Sequence, residues 1–191
     1  MSAKKKVKVE AAPLKLDLGA GKNKKEGFLG VDMVQLPGVD VIHDLRTKWP
    51  WPDNSVEEAH ASHFIEHLTN LNDKWERIHF FNELWRVMKP GAKATIILPH
   101  WCSNRYYGDP THTEPFSEMG FYYLNKDWRL GQTPQLDSSV WADGYKCDFD
   151  FTCVYTVNPA LGPRNQEYQN FALTWYKEAA QDLYSTLTAR K

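Results

Sequence analysis

Leu14-Lys15-Leu16-Asp17-Leu18-Gly19-Ala20-Gly21 is the stretch on which the fold turns. Leucines at 14, 16 and 18 alternate with Lys15 and Asp17, the period of a strand with one buried face. Gly19-Ala20-Gly21 ends that alternation in a turn whose backbone a ligand can approach closely. Working outward, Phe28 to Val31 is a second short apolar run, closed by Asp32. Val39, Val41 and Ile42 predict a third strand ending at His43-Asp44. Pro50, Pro52, Asp53 and Asn54 then make a loop, after which Val56 to Ala61 predicts a fourth strand and Lys93 to Leu98 a fifth. Between those two, Asn72 to Met88 takes helical spacing, with Trp75, Ile78, Trp85 and Met88 along one side and Phe81 and Leu84 widening the stripe. Asn72 is the expected N-cap and Pro90-Gly91 the expected stop.

The stretch from Trp101 to Leu136 is irregular and aromatic, with one helix expected near Ser117 to Leu124. Tyr145, Cys147, Phe149, Phe151, Cys153 and Tyr155 then alternate as a strand. Tyr168, Phe171, Ala172, Trp175, Ala179 and Leu183 return to helical spacing and predict a C-terminal helix. Short strands around a long helix indicate an α/β fold. The expectation is a Rossmann-like domain, mainly parallel, with an antiparallel strand near the C-terminus and a C-terminal helix. Residues 14–191 are expected to form one domain behind a flexible basic leader, 1–13, that carries Lys4, Lys5, Lys6 and Lys8.

Composition narrows the function classes. A net charge of −1 gives no global attraction to phosphate backbones, although the lysines leave a local nucleic-acid contact open. No apolar run approaches the length of a membrane span. Cys102, Cys147 and Cys153 form neither a disulfide framework nor a Cys-x-x-Cys pair, so a cytoplasmic setting is expected.

Three carboxylates stand at three successive strand exits. Asp17 sits beside the glycine turn, where it would repel a pyrophosphate and suit a ligand bearing sulfonium and ammonium groups. A dinucleotide fingerprint also needs a third glycine at position 24, which is Lys24. Asp32 is placed to accept both hydroxyls of an adenosine ribose, and Asp44-Leu45 to accept from an adenine amino group. Each has a plainer reading as a turn or capping aspartate. Their order, converging on one crevice, favours the ligand.

LDLGAG (16–21), GVD (30–32), DLRTKWPWPDNSVEEAHASHFIEHL (44–68) and ELWRVMKPGAKATIILP (83–99) together resemble the class I S-adenosylmethionine-dependent methyltransferase family. The likeness covers about half the chain and is nearest to a small branch with a short first glycine loop. Here only Lys22 to Gly27 separates the turn from the second strand, so the usual first helix is expected to be shortened or absent. The resemblance implies S-adenosyl-L-methionine as cofactor, with Asp17, Gly19, Ala20 and Gly21 at its methionine part. It also implies Asp32 and Met33 at the ribose and Asp44 with Leu45 at the adenine. His63 follows the fourth strand, near where the family transfers its methyl, and Glu66-His67 match the family's Glu-His pair. Ser62-His63-Phe64-Ile65 stands where DNA amino-methyltransferases carry Asn/Asp-Pro-Pro-Tyr, which argues against that substrate class.

Past the fifth strand, His100 to His112 would overlie the cofactor, and His100, Asp109 and His112, with His63, are the candidate catalytic groups. A His-Asp pair that only pins the loop is the competing reading. His100, Cys102 and His112 lack a fourth ligand at convincing spacing, so no metal is expected. The expectation is a methyltransferase acting on a small-molecule acceptor. Alternatives are a non-catalytic cofactor-binding partner subunit, a nucleic-acid methyltransferase using Lys4 to Lys8 and Lys22 to Lys25, and, least supported, an NAD-dependent oxidoreductase. Trp175 and Tyr176 leave packing at home or in a homodimer open.

Overall fold

The alternation at the start of the chain becomes strand β1 (Leu14–Leu18), with Leu16 and Leu18 fully buried. The structure is a computed structural model that describes residues 13–71, 74–132 and 144–191. Residues 1–12 of the expected leader and Asn72 therefore lie outside the described residues. β1 pairs in parallel with β2 (Leu29–Asp32) on one side and β4 (Val56–Ser62) on the other. β3 (Val41–Ile42) extends the sheet beyond β2, and β5 (Met88–Pro99) lies beside β4, both parallel. β6 (Phe149–Val157) and β7 (Ala180–Ala189) complete it as antiparallel strands, in the order β3-β2-β1-β4-β5-β7-β6. The order reverses at β1, so the carboxyl ends of β1 and β4 part and leave a crevice between them.

No helix joins β1 to β2, as the short spacing predicts. The N–H groups of Gly19 and Ala20 both donate to the Val31 carbonyl, 2.9 and 3.1 Å away, so the turn doubles straight back along β2. On one face, helix α1 (Glu76–Val87) lays Ile78, Phe81 and Leu84 into the core formed with Leu16, Leu18, Val31, Ala59, Ile96 and Leu98. The other face of β1 presents Lys15 and Asp17, which meet Glu58 and His60 of β4.

Two boundaries differ from the sequence reading. α1 ends at Val87 and the chain is already in β5 at Met88, which pairs with Val56. Pro90-Gly91 therefore falls inside the strand's entry rather than stopping the helix; the strand pairing captures the chain first. At the other end, helix α5 (Gln166–Trp175) stops before Ala179, and Leu183 belongs to β7. Trp175, Ala179 and Leu183 are spaced four apart, which suits a helix, yet Leu183, Ser185, Leu187 and Ala189 also alternate as a strand. Seven residue pairs with β5 decide for the strand. The helix precedes the last strand instead of closing the chain, and its Trp175 stands exposed. Among the described residues, three short helices, α2 (Asn104–Tyr107), α3 (Glu118–Tyr122) and α4 (Lys126–Gln132), occupy the region where one was expected. No helix among the described residues is long and apolar enough to cross a membrane.

Candidate functional site

The glycine turn shapes the crevice from one side. Gly19 has φ +70°, and a Cβ there would stand 2.4 Å from the Phe64 ring, so glycine is required twice over. Gly21, at φ +54°, faces open space. Its N–H donates to Asp32 Oδ2 at 3.0 Å, while Asp32 Oδ1 accepts from Val34 N–H at 3.0 Å. Each oxygen keeps a further acceptor site for a ligand. Asp44 accepts from the backbone and guanidinium of Arg46 at 2.9 to 3.0 Å, and this pairing holds its carboxyl below the usual range. Gly19, Gly21, Asp32, Met33, Asp44, Leu45 and His63 line one cleft of about 350 Å³, a size that fits a small-molecule site. His43, Arg46, Phe64, His67 and Leu68 line it too, and the sequence reading assigned none of these to the cofactor. Arg46 follows Asp44 by two residues, a detectable signal. Phe64 meets Gly19 only because β1 and β4 are neighbours.

Asp17 and Ala20 are not among the residues lining this cleft. The strand alternation that buries Leu16 and Leu18 turns Asp17 to the opposite face, where its register partner is His60. Asp17 Oδ1 lies 2.7 Å from His60 Nδ1, and Oδ2 accepts from Lys25 N–H at 2.7 Å. The carboxylate thus anchors the glycine turn through the Lys25 N–H.

The exit of β4 forms the cleft's other wall. His63 adopts φ +53°, costly for a residue with a side chain, and its N–H donates to the Ile97 carbonyl at 2.8 Å. The Glu66 carboxylate, 3.3 Å from His63 Nδ1, raises the imidazole above its ordinary pKa, with partial burial opposing. Glu66 itself is wholly buried, and neither of its side-chain oxygens has a hydrogen-bond partner among the described residues. His112 Nε2 stands 4.0 Å from Glu66 Oε1 and 3.9 Å from Asp109 Oδ2. Asp109 accepts from the Thr111 N–H and hydroxyl, which lower its pKa. His63 and His112 therefore stand beside Glu66, and Asp109 beside His112.

His100 belongs elsewhere. It is buried, with Nδ1 3.0 Å from Cys102 Sγ, Nε2 3.7 Å from Glu118 and its ring edge-on to Tyr155. His100 and the Tyr155 hydroxyl hold Glu118 down to about 2 against the cost of partial burial. With Trp101, Cys102, Tyr107 and Trp175, His100 lines a separate cavity of about 400 Å³. His100, Cys102 and His112 do not come together. Among the described residues, the group of three or more donors spaced to hold an ion is Glu66, His67 and His112.

No family model matches the chain. A probable S-adenosylmethionine-dependent methyltransferase of Mycolicibacterium smegmatis is 30% identical over 89 residues, which are 47% of this chain and 31% of that protein. The crystal structure of an S-adenosylmethionine-dependent methyltransferase from Archaeoglobus fulgidus superposes with a TM-score of 0.61 at 18% identity, covering 92% of this chain and 86% of the other. The chain shares the fold of these methyltransferases. Another member of that fold, from a complex between the Haloferax volcanii Trm112 methyltransferase activator and a methyltransferase, gives a TM-score of 0.52 at 12% identity, over 97% of this chain and 86% of its own. The methyltransferase fold accounts for the reversal of strand order at β1 and for the crevice it leaves.

Proposed function

We propose that the chain is an S-adenosylmethionine-dependent methyltransferase acting on a small-molecule acceptor. One observation carries this reading: two glycines, Asp32, Asp44 and His63 line a single cleft where the strand order reverses. Asp32 would accept the ribose hydroxyls, with Met33 and Leu45 flanking the adenine and Asp44 accepting from its amino group. The open space over Gly21 leaves room for the rest of the cofactor. Asp17 supports the site indirectly by holding the turn through Lys25.

When bound, the cofactor would supply an electrophilic methyl group. The chain's own contribution is then to position the acceptor and exclude water, because an in-line displacement depends mostly on orientation. His63 or Asp109 would take the proton of an acceptor that arrives protonated, with His112 beside them. His100 would shape the wall beyond them. The net charge of −1 and the modest cleft favour a small acceptor over a nucleic acid, and the three free cysteines suit a cytoplasmic setting.

Calorimetric titration with S-adenosylhomocysteine, with NAD as control, tests the reading. Micromolar binding, about −8 kcal/mol, that weakens at least tenfold in Asp32→Ala is expected. No binding, or tighter binding of NAD, would contradict it.

A further inference from the structure

We propose that Glu66, His67 and His112 bind a divalent first-row transition-metal ion at the mouth of the cleft, where its open positions take an oxygen atom of the acceptor. One donor atom from each residue lies within 4.8 Å of the other two. Glu66 is fully buried, and apart from the half-exposed His63 imidazole 3.3 Å from Oε1, neither side-chain oxygen has a hydrogen-bond partner among the described residues. A carboxylate taken out of water calls for a cation or donors. Arg77, a buried cation nearby, gives its Nη2 to the Leu68 and Glu114 carbonyls.

The imidazoles are set to ligate. His112 Nδ1 is 2.7 Å from the Tyr106 carbonyl, which can only accept, so Nδ1 carries the proton and Nε2 the lone pair. The Thr111 hydroxyl donates to Asp109, so at 3.1 Å it accepts from His67 Nδ1, and His67 Nε2 is likewise left with a lone pair. Histidines that bind metals have this outer support, with the far ring nitrogen tied to a carbonyl or hydroxyl. Two imidazoles and one carboxylate suit zinc, manganese or iron more than magnesium, and three protein ligands leave positions open. At ligand distances of about 2.1 Å, tetrahedral donors stand roughly 3.4 Å apart. Side-chain rotations of about an ångström would close the group. His63 and His67 line the cleft, which places the ion between it and the loop that carries His112.

The acceptor's role for the ion rests on the methyltransferase reading; ion binding does not. The test is calorimetric titration of the full, chelator-stripped chain with Zn²⁺ and Mn²⁺, and Mg²⁺ as the hard-ion control. About one ion per chain should bind at micromolar strength or tighter, ahead of Mg²⁺. Affinity should fall by at least about 10- to 100-fold in His112→Ala and Glu66→Gln, since even outer-sphere losses have that size. S-adenosylhomocysteine affinity should stay within about twofold in His112→Ala. No saturable binding of Zn²⁺ or Mn²⁺, or unchanged binding in His112→Ala, would overturn the proposal. Should Glu66→Gln fail to fold, His67→Ala and His112→Ala carry the test. Ion binding without S-adenosylhomocysteine binding would support the site and remove only its link to methyl transfer.

Discussion

The exits of β1 and β4 flank the same crevice, and each carries a buried carboxylate in an opposite condition. Asp17, 3% exposed, is bonded through both oxygens, to His60 and to the Lys25 backbone. Glu66, 0% exposed, has no hydrogen-bond donor for either oxygen among the described residues. The backbones differ in the same sense. At β1 the left-handed positions fall on Gly19 and Gly21, which adopt them cheaply, whereas at β4 the position falls on His63. A strained backbone and a buried charge paired only with a half-exposed imidazole are both costly, so they persist where something other than stability selects them. The β1 exit is built as scaffold, the β4 exit as a working surface.

The largest expected effect is on the scaffold side. Asp17→Ala should cost about 3 kcal/mol of stability, since it strips a buried charged acceptor from two donors, as read by urea denaturation. A loss under about 1 kcal/mol would break the comparison. Gly19→Ala should cost roughly 1–3 kcal/mol, from its left-handed backbone and the Phe64 contact, and should weaken S-adenosylhomocysteine binding.

Glu118, at the far wall, offers an intermediate case. Its carboxyl is held at about 2, so the stability it contributes is whole above its ordinary value of 4.5 and drains away as pH falls toward 2. Wild type should therefore lose stability more steeply than Glu118→Gln between pH 5 and 2, by roughly 1 kcal/mol for this partly exposed group. Parallel curves would remove Glu118 as a calibration. The smallest effect is expected at Glu66. Without metal, Glu66→Gln should change stability by no more than about 1 kcal/mol, because the charge it removes is desolvated and its ion pair, to His63, is half-exposed. A loss like that of Asp17→Ala would make the two exits alike.

The parallel half of the fold was legible because its signals are periodic and local. Leu14, Leu16 and Leu18 set β1, and Asp32 and Asp44 reach the crevice because strand exits point there. Asp17 lies on the face opposite the leucines, where the same alternation turns it to His60 and Lys25. The C-terminal boundary was ambiguous because Ala179 and Leu183 satisfy two periods at once. The Glu66, His67 and His112 grouping had no local signal. It exists only once the loop after β5 folds back over the β4 exit.

The central claim is that one cleft receives the nucleoside between the glycine turn and Asp32 while Asp17 stays behind it. A crystal structure of the chain with S-adenosylhomocysteine tests this most directly. The account predicts ribose hydroxyls on Asp32, the adenine beside Leu45 and Asp44, and Asp17 still bonded to His60 and Lys25. A nucleoside bound in another cavity, or Asp17 swung round to meet the ligand, would contradict it.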